Sequence, residues 1–294
     1  MTHLSHVLCA VDINEDGPRV FSRALTVSRN SGARLSLLHA ASPELSFNRG
    51  ATERVDFLRQ LRSLAEAAGV EVRVDVQRGY VTETILHHAR TRRPDVVVIG
   101  MSRKERRRGL SGWVAEQVLR DAPCPTLIVP KLGTSDGTIE NILCAVDFSP
   151  TSHAAISEAL RFASSGWRPL TLLHVVPRPD NRQQRQSVWI PAREYYRDQG
   201  AVALDKLRFL VPPSHRTRVT TAVAVGQPTE EILRAARGLS NPLLVIGGRN
   251  RNRVGSRLFG KTGTLLRDAT FPMLAVPISA AVARTVEAGE RAAA

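Results

Sequence analysis

The chain has 294 residues, 43% apolar and 23% charged, with 20 Gly and 17 Pro. Such values belong to a globular protein of about two domains and exclude collagen-like, Pro-rich and disordered chains. Lys and Arg outnumber Asp and Glu by 41 to 27, a net +14, and 37 of the 41 are Arg.

In chain order, the N-terminal MTHLSHVLCAVD carries no basic region, long apolar stretch or small-residue cleavage site, so no secretory leader is expected. Val7–Val11 is a short apolar run ending at Asp12, suited to a buried parallel strand. Residues 18–30 place Val20, Ala24, Leu25 and Val27 near helical spacing, and Arg34–His39 reads as a strand. Over 52–68, Val55, Leu58, Leu61, Leu64 and Ala65 again follow a helix. Val70–Val76 alternates apolar and charged residues, the pattern of a half-exposed edge strand. A helix is predicted over 82–92, with Thr82 as its N-cap. A buried strand over 95–100, a helix over 112–121 and a last strand over 125–130 complete the series. No apolar run approaches the about 18 residues that span a bilayer. Three Cys in so long a chain imply no disulfide framework, and the expected compartment is the reducing cytoplasm.

The whole series then repeats. His6–Asp12 (HVLCAVD) returns as Asn141–Asp147 (NILCAVD), and Leu37-Leu38-His39 as Leu172-Leu173-His174, both at an offset of 135. Further on, the offset is 147. Gly79-x-x-Thr82-Glu83-x-Ile85 becomes Gly226-x-x-Thr229-Glu230-x-Ile232, Val98-Ile99-Gly100 becomes Val245-Ile246-Gly247, and Leu119–Pro125 becomes Leu266–Pro272. The second repeat therefore carries 12 extra residues, assigned to the polar segment 178–193. The predicted division is 1–133 and 140–278, joined through a linker-like stretch and followed by an Ala-rich tail, 279–294.

Strands alternating with helices predict parallel sheets covered on both faces. Ligands of such sheets bind outside the carboxyl ends of the strands, where strand order reverses. Asp12 and Gly100 end the first and fourth strands of the first repeat, and Asp147 and Gly247 those of the second.

These strands, together with Gly-x-Pro-x-Glu-x-Ile (226–232) and Val-Leu-Arg-x-Ala-Pro-Cys-Pro (118–125), resemble the universal stress protein family over residues 3–278. The resemblance implies two tandem five-stranded α/β domains of the adenine-nucleotide alpha-hydrolase-like fold, each with strand order 3-2-1-4-5. It implies a cytoplasmic stress-response module, regulatory or protective; Ser, His and Asp form no recognisable nucleophile motif, so no enzyme is expected beyond a weak ATPase. One branch of the family binds ATP, with Mg as the companion of the nucleotide; another does not. In the ATP-binding branch a loop of the form G-x-x-G, nine residues, G-[S/T] follows strand four. Its glycines let backbone N–H groups face phosphates, and its last residues open a helix whose N-terminus favours anions. The Asp ending strand one lies near the ribose, and the backbone ending strand two near the adenine.

Carried onto this chain, the pattern assigns a nucleotide site mainly to the second repeat. It consists of Asp147, Val175, Gly247, Gly248, Arg249, Asn250, Gly260, Lys261 and Thr262. Asn250 takes the second Gly position, and Asn is the best non-Gly residue for a left-handed conformation. Gly247→Arg is the substitution this assignment suggests as its test. The first repeat keeps Asp12, Ala40 and Gly100 but has Arg103 where the second Gly belongs, Gly112 one residue early and Trp113 in place of the hydroxyl residue. It is a degenerate second site whose loop, 103–108, carries a net +4.

Three other readings compete. Gly255–Thr262 fits the G-x-x-x-x-G-K-T loop of NTPases, but Arg249–Val254 separates it from the preceding strand. The Arg-rich loops suit nucleic acid by charge yet lack interleaved aromatics for base stacking. With both loops degenerate, the domains would serve protein–protein assembly, as an intramolecular pair or a homodimer. Cys9 and Cys144 occupy equivalent strand places and read as packing residues, as does Cys124. His87, His88, His39 and His174 lack metal-ligand spacing.

Overall fold

The structure is a computed structural model, and it describes residues 3–13, 16–41, 51–101, 113–131, 138–164, 168–178, 192–248 and 261–277. The first repeat runs β1 (His6–Ala10), α1 (Gly17–Ser31), β2 (Arg34–Ala41), α2 (Ala51–Ala67), β3 (Val72–Arg78), α3 (Val81–Arg92), β4 (Val96–Met101), α4 (Trp113–Asp121) and β5 (Thr126–Pro130). The second runs β6 (Asn141–Ala145), α5 (Pro150–Ser164), β7 (Leu170–Pro177), α6 (Ala192–Leu210), β8 (Val219–Gly226), α7 (Pro228–Arg237), β9 (Pro242–Gly247), α8 (Lys261–Asp268) and β10 (Met273–Val276). Every predicted element is present. The segment assigned to the 12 extra residues falls mostly outside the described residues, between β7 and α6.

Local sequence accounts for the helix limits. Pro18 sits in the first turn of α1, where its missing N–H costs nothing, and Gly32 closes the helix at φ 68° with its N–H on the Ser28 carbonyl. The expectation for Thr82 is corrected. Tyr80 is the N-cap of α3, in extended conformation, and Thr82 lies one position inside the helix, buried. Gly79, at φ 156°, turns the chain early enough for the helix to begin at Val81.

Each repeat has the expected order, 3-2-1-4-5, with parallel pairing throughout. The sequence did not indicate what joins them. β5 pairs antiparallel with β10, in register Met273↔Ile128, Leu274↔Leu127 and Ala275↔Thr126. The result is one ten-stranded sheet with β3 and β8 at its edges.

Strand alternation sends side chains to two cores. Val7, Cys9, Val96, Val98, Ile142 and Cys144 face α1, α2, α5 and α6. Leu8, Val97, Ile99, Leu143, Leu244 and Ile246 face α3, α4, α7 and α8. Cys9 and Cys144 are fully buried, and burial pushes the Cys9 thiol up to about 12 and raises that of Cys144 as well. The repeats are also tied by polar groups. Arg161 of α5 donates to Asp95 Oδ1 at 2.6 Å and to the His3 carbonyl at 3.2 Å, while the other Asp95 oxygen accepts from Ser5 N, Ser5 Oγ and His6 N. Among the described residues no helix is long and apolar enough to cross a membrane.

Candidate functional site

In the first repeat, β1 lies between β2 and β4, so the connections leaving the ends of β1 and β4 diverge onto opposite faces. That divergence opens a cavity of about 330 Å³ at the carboxyl ends of the strands. Its walls are apolar, from Val20, Leu38, Ile85, Ile99 and Val129. Its charged lining, among the described residues, sets Arg19, Arg54 and Lys131 against Asp12 and Asp16. Arg19 is oriented by donating to the Pro130 carbonyl at 3.0 Å, and Lys131 Nζ lies 3.7 Å from Asp16. A concave, mostly apolar space of this volume with a few polar groups suits a small ligand.

Three residues assigned to the degenerate site, Asp12, Ala40 and Gly100, are brought together on the lining of this cavity. Arg103 and Gly112 lie outside the described residues. A Cβ on Gly100 would fall 2.9 Å from Val20 Cγ2, so the glycine also lets α1 lie close to β4.

The strand-end histidines have a role that metal-ligand spacing could not reveal. His39 Nδ1 lies 3.0 Å from the Val11 carbonyl, and His174 Nδ1 lies 2.8 Å from the Val146 carbonyl. A carbonyl only accepts, so Nδ1 is the protonated nitrogen in both rings. Each ring ties the end of the second strand of its repeat to the end of the first. His39 lines the cavity. The signal was available in the sequence, since both residues obey the offset of 135. Arg19, Arg54, Asp16 and Lys131 carried no such signal; chain folding alone gathers them from α1, α2 and the end of β5.

The second repeat brings Asp147, Val175, Gly247 and Gly248 to the equivalent place, at the ends of β6, β7 and β9. Asp147 Oδ1 accepts from Ser149 N and Oγ, and Ser149 Oγ in turn accepts from Ser152 N at 3.2 Å. Burial by itself would raise the Asp147 pKa; hydrogen bonds from Ser149 and Ser152 outweigh it and hold the carboxyl below its usual range. Phe148 sits at φ 61°, its ring 4.6 Å from that of His174, with Lys206 Nζ 5.7 Å from the Phe148 centroid. A Cβ on Gly247 would lie 2.8 Å from the Thr151 carbonyl carbon, and one on Gly248 would lie 2.9 Å from the Val276 oxygen. Both glycines thus have packing reasons that involve no ligand. Gly247→Arg would force apart main-chain atoms, so it tests folding rather than binding. Lys261 and Thr262 open α8 as expected. Arg249, Asn250, Gly260 and the side chains of Lys261 and Thr262 lie outside the described residues, as does the NTPase-like loop preceding them.

The sequence model of the Universal stress protein family matches residues 3–130 and 138–277. A universal stress protein of Methanocaldococcus jannaschii is 32% identical over 80 residues, which is 27% of this chain and 47% of that protein. The chain thus matches about half the length of that curated relative. The crystal structure of a universal stress protein from Archaeoglobus fulgidus superimposes with a TM-score of 0.67 at 18% identity, covering 92% of this chain and 96% of that one. A protein of unknown function from Pseudomonas aeruginosa superimposes with a TM-score of 0.64 at 16% identity, over 97% of both chains. At such identities the two structures speak to fold alone, and they share it over nearly the full length.

Proposed function

The chain belongs to the universal stress protein family, with two family domains in tandem, and from that premise we propose that it binds an adenine nucleotide, or another small phosphate-bearing molecule, at the carboxyl ends of its strands. The observation that carries this reading is the cavity of the first repeat. Its apolar walls suit a flat base, and Asp12 at its rim suits ribose hydroxyls. Arg19, Arg54 and Lys131 surround its mouth with the charge a phosphate needs. The second repeat offers the other seat, through Asp147, Val175, Gly247, Gly248, Arg249, Asn250, Gly260, Lys261 and Thr262, with Mg accompanying the nucleotide. Binding without turnover makes the protein a regulatory or protective module of the stress response.

A second reading has its own observation. In the second repeat Asp147 is engaged by Ser149, and Gly247 and Gly248 are accounted for by packing. A tandem protein that works only through protein–protein contacts would look the same there.

The test begins with the nucleotide content of the purified chain, released by denaturation and quantified by mass spectrometry, followed by calorimetric titration with Mg-ATP. Ala40→Phe, which fills the first cavity, is expected to remove one binding event, and Lys261→Ala to weaken the other, both in variants of unchanged circular dichroism. Neither released nucleotide nor binding at millimolar Mg-ATP would overturn the reading and leave the assembly role.

A further inference from the structure

We infer that the amino ends of β1, β2 and β3 form a second, independent site in the first repeat, one that holds the phosphate group of a small, polar phosphomonoester. A cavity of about 320 Å³ lies there, at the opposite end of the strands from the crevice above. It is lined by His6, Arg34, Ser36, Glu71, Arg73 and Arg92.

Strand alternation builds it. Leu8 of β1 and Leu38 of β2 belong to the core under α3, and His6, Arg34 and Ser36 share their face two or four residues back. Arg73 is the register partner of Ser36 on β3, and Arg92 ends α3 above them. The apolar floor under α3 thus gives way to a polar nest.

That nest contains buried polar groups. His6 is 3% exposed and Ser36 4%. His6 Nε2 meets Ser36 Oγ at 2.8 Å, while Nδ1 is buried and has no partner in good hydrogen-bond geometry among the described residues, with the Arg92 main chain nearby. Burial, and then the charge of Arg34, lower the His6 pKa.

The charges leave a cation over. Arg92 grips Asp75 with both terminal nitrogens, at 3.0 and 3.1 Å, and Arg73 Nε stands 3.5 Å from the same carboxylate. Asp75 stands behind the lining, Glu71 is the acid within it, and Arg34 makes no ion pair among the described residues. Three guanidiniums against two carboxylates favour an anion. The carbonyl end of α3 opposes it with a partial charge of about one half, which the guanidiniums exceed. Guanidinium forks match phosphate oxygens in pairs. The cavity exceeds one oxyanion in size, and Glu71 would accept hydroxyls from the remainder while repelling a second anionic group.

The second repeat serves as an internal control. At the places of His6, Arg34, Ser36, Arg73, Asp75 and Arg92 it has Asn141, Pro169, Thr171, Thr220, Ala222 and Leu239, and in place of Glu71 a single arginine, Arg218. The strands keep the same register, Ser36↔Arg73 in one repeat and Thr171↔Thr220 in the other. The fold is therefore built equally well without these cations, and their presence in the first repeat calls for a ligand.

The experiment titrates the full chain with glycerol 3-phosphate, inorganic phosphate and glycerol. Calorimetry and the Cε1–H resonance of His6 provide the readouts, with the resonance assigned through His6→Asn. Saturable binding of glycerol 3-phosphate, tighter than that of inorganic phosphate, with a shift of the His6 resonance is expected. Arg34→Gln and Arg73→Thr should each weaken it about tenfold or more, the loss of one charge-assisted contact, and Ala40→Phe should leave it unchanged. Both arginines are exposed at the rim, so these variants fold. An unmoved His6 resonance, or unchanged affinity in both arginine variants, would overturn the site. Inorganic phosphate binding as tightly as the ester would overturn the assignment to an ester.

Discussion

Asp95→Ala should loosen the two repeats from each other. Asp95, just ahead of β4, accepts from Arg161 of α5 at 2.6 Å, and the two side chains are 22% and 7% exposed. Removing one partner of a buried pair leaves the other charge desolvated, which costs about 3–5 kcal/mol. Here the lower end applies. Glu158 Oε2 remains 3.6 Å from Arg161 Nη1, and the His3 carbonyl remains 3.2 Å from Nη2. The expected loss is therefore about 3 kcal/mol, read from urea unfolding followed by circular dichroism. A cycle with Arg161→Met should give a coupling of about 2 kcal/mol. The pH dependence follows from the same geometry. Burial would raise the Asp95 pKa, but the Arg161 charge and the Ser5 hydrogen bonds outweigh it, and the folded value falls below 3.8. The unfolded chain then takes up the proton first as pH falls. The stabilisation is whole above the ordinary carboxylate range and is lost as pH drops through the lower, folded value. A cost under about 1 kcal/mol, typical of exposed pairs, or strict additivity in the cycle, would refute the claim that this pair couples the repeats.

Other outcomes follow from close contacts and burial. Gly247→Ala places a methyl 2.8 Å from the Thr151 main chain and should cost about 1–3 kcal/mol, whereas Gly100→Ala meets a single side-chain methyl of Val20 and no main-chain atom, and should cost less; equal unfolding midpoints would refute the distinction. Cys9 and Cys144, fully buried with raised pKa values, should resist thiol reagents at pH 8 in the native protein and react fully in denaturant. Reaction of either at native conditions on a scale of minutes would count against it. His39→Phe removes the link to the Val11 carbonyl and should lower stability by about 1 kcal/mol; a variant as stable as the parent would show the link to be dispensable.

Periodicity and repetition made nearly all of the fold legible. Val7–Val11, Val96–Ile99 and their second copies are apolar on both faces, which only a doubly covered parallel sheet accommodates, and the edge character of β3 showed in its alternation. The two offsets located equivalent residues so well that the strand registers agree with both. Thr82 was misplaced because capping depends on where the chain turns, and Gly79 turns it early.

What the sequence by itself determined is therefore the family, the two α/β repeats and the residues that end the strands, with the strand order implied by the family resemblance. Only the tertiary structure decided three further things. The β5–β10 pairing is one, because TLIVP and MLAV are apolar on both faces and nothing local names the partner edge. The rim of Arg19, Arg54, Asp16 and Lys131 is another, gathered from distant segments with no spacing to announce it. The last is the dual nature of the glycines: one residue type serves close packing and phosphate approach alike, and only neighbouring atoms, such as the Thr151 main chain beside Gly247, tell the two apart.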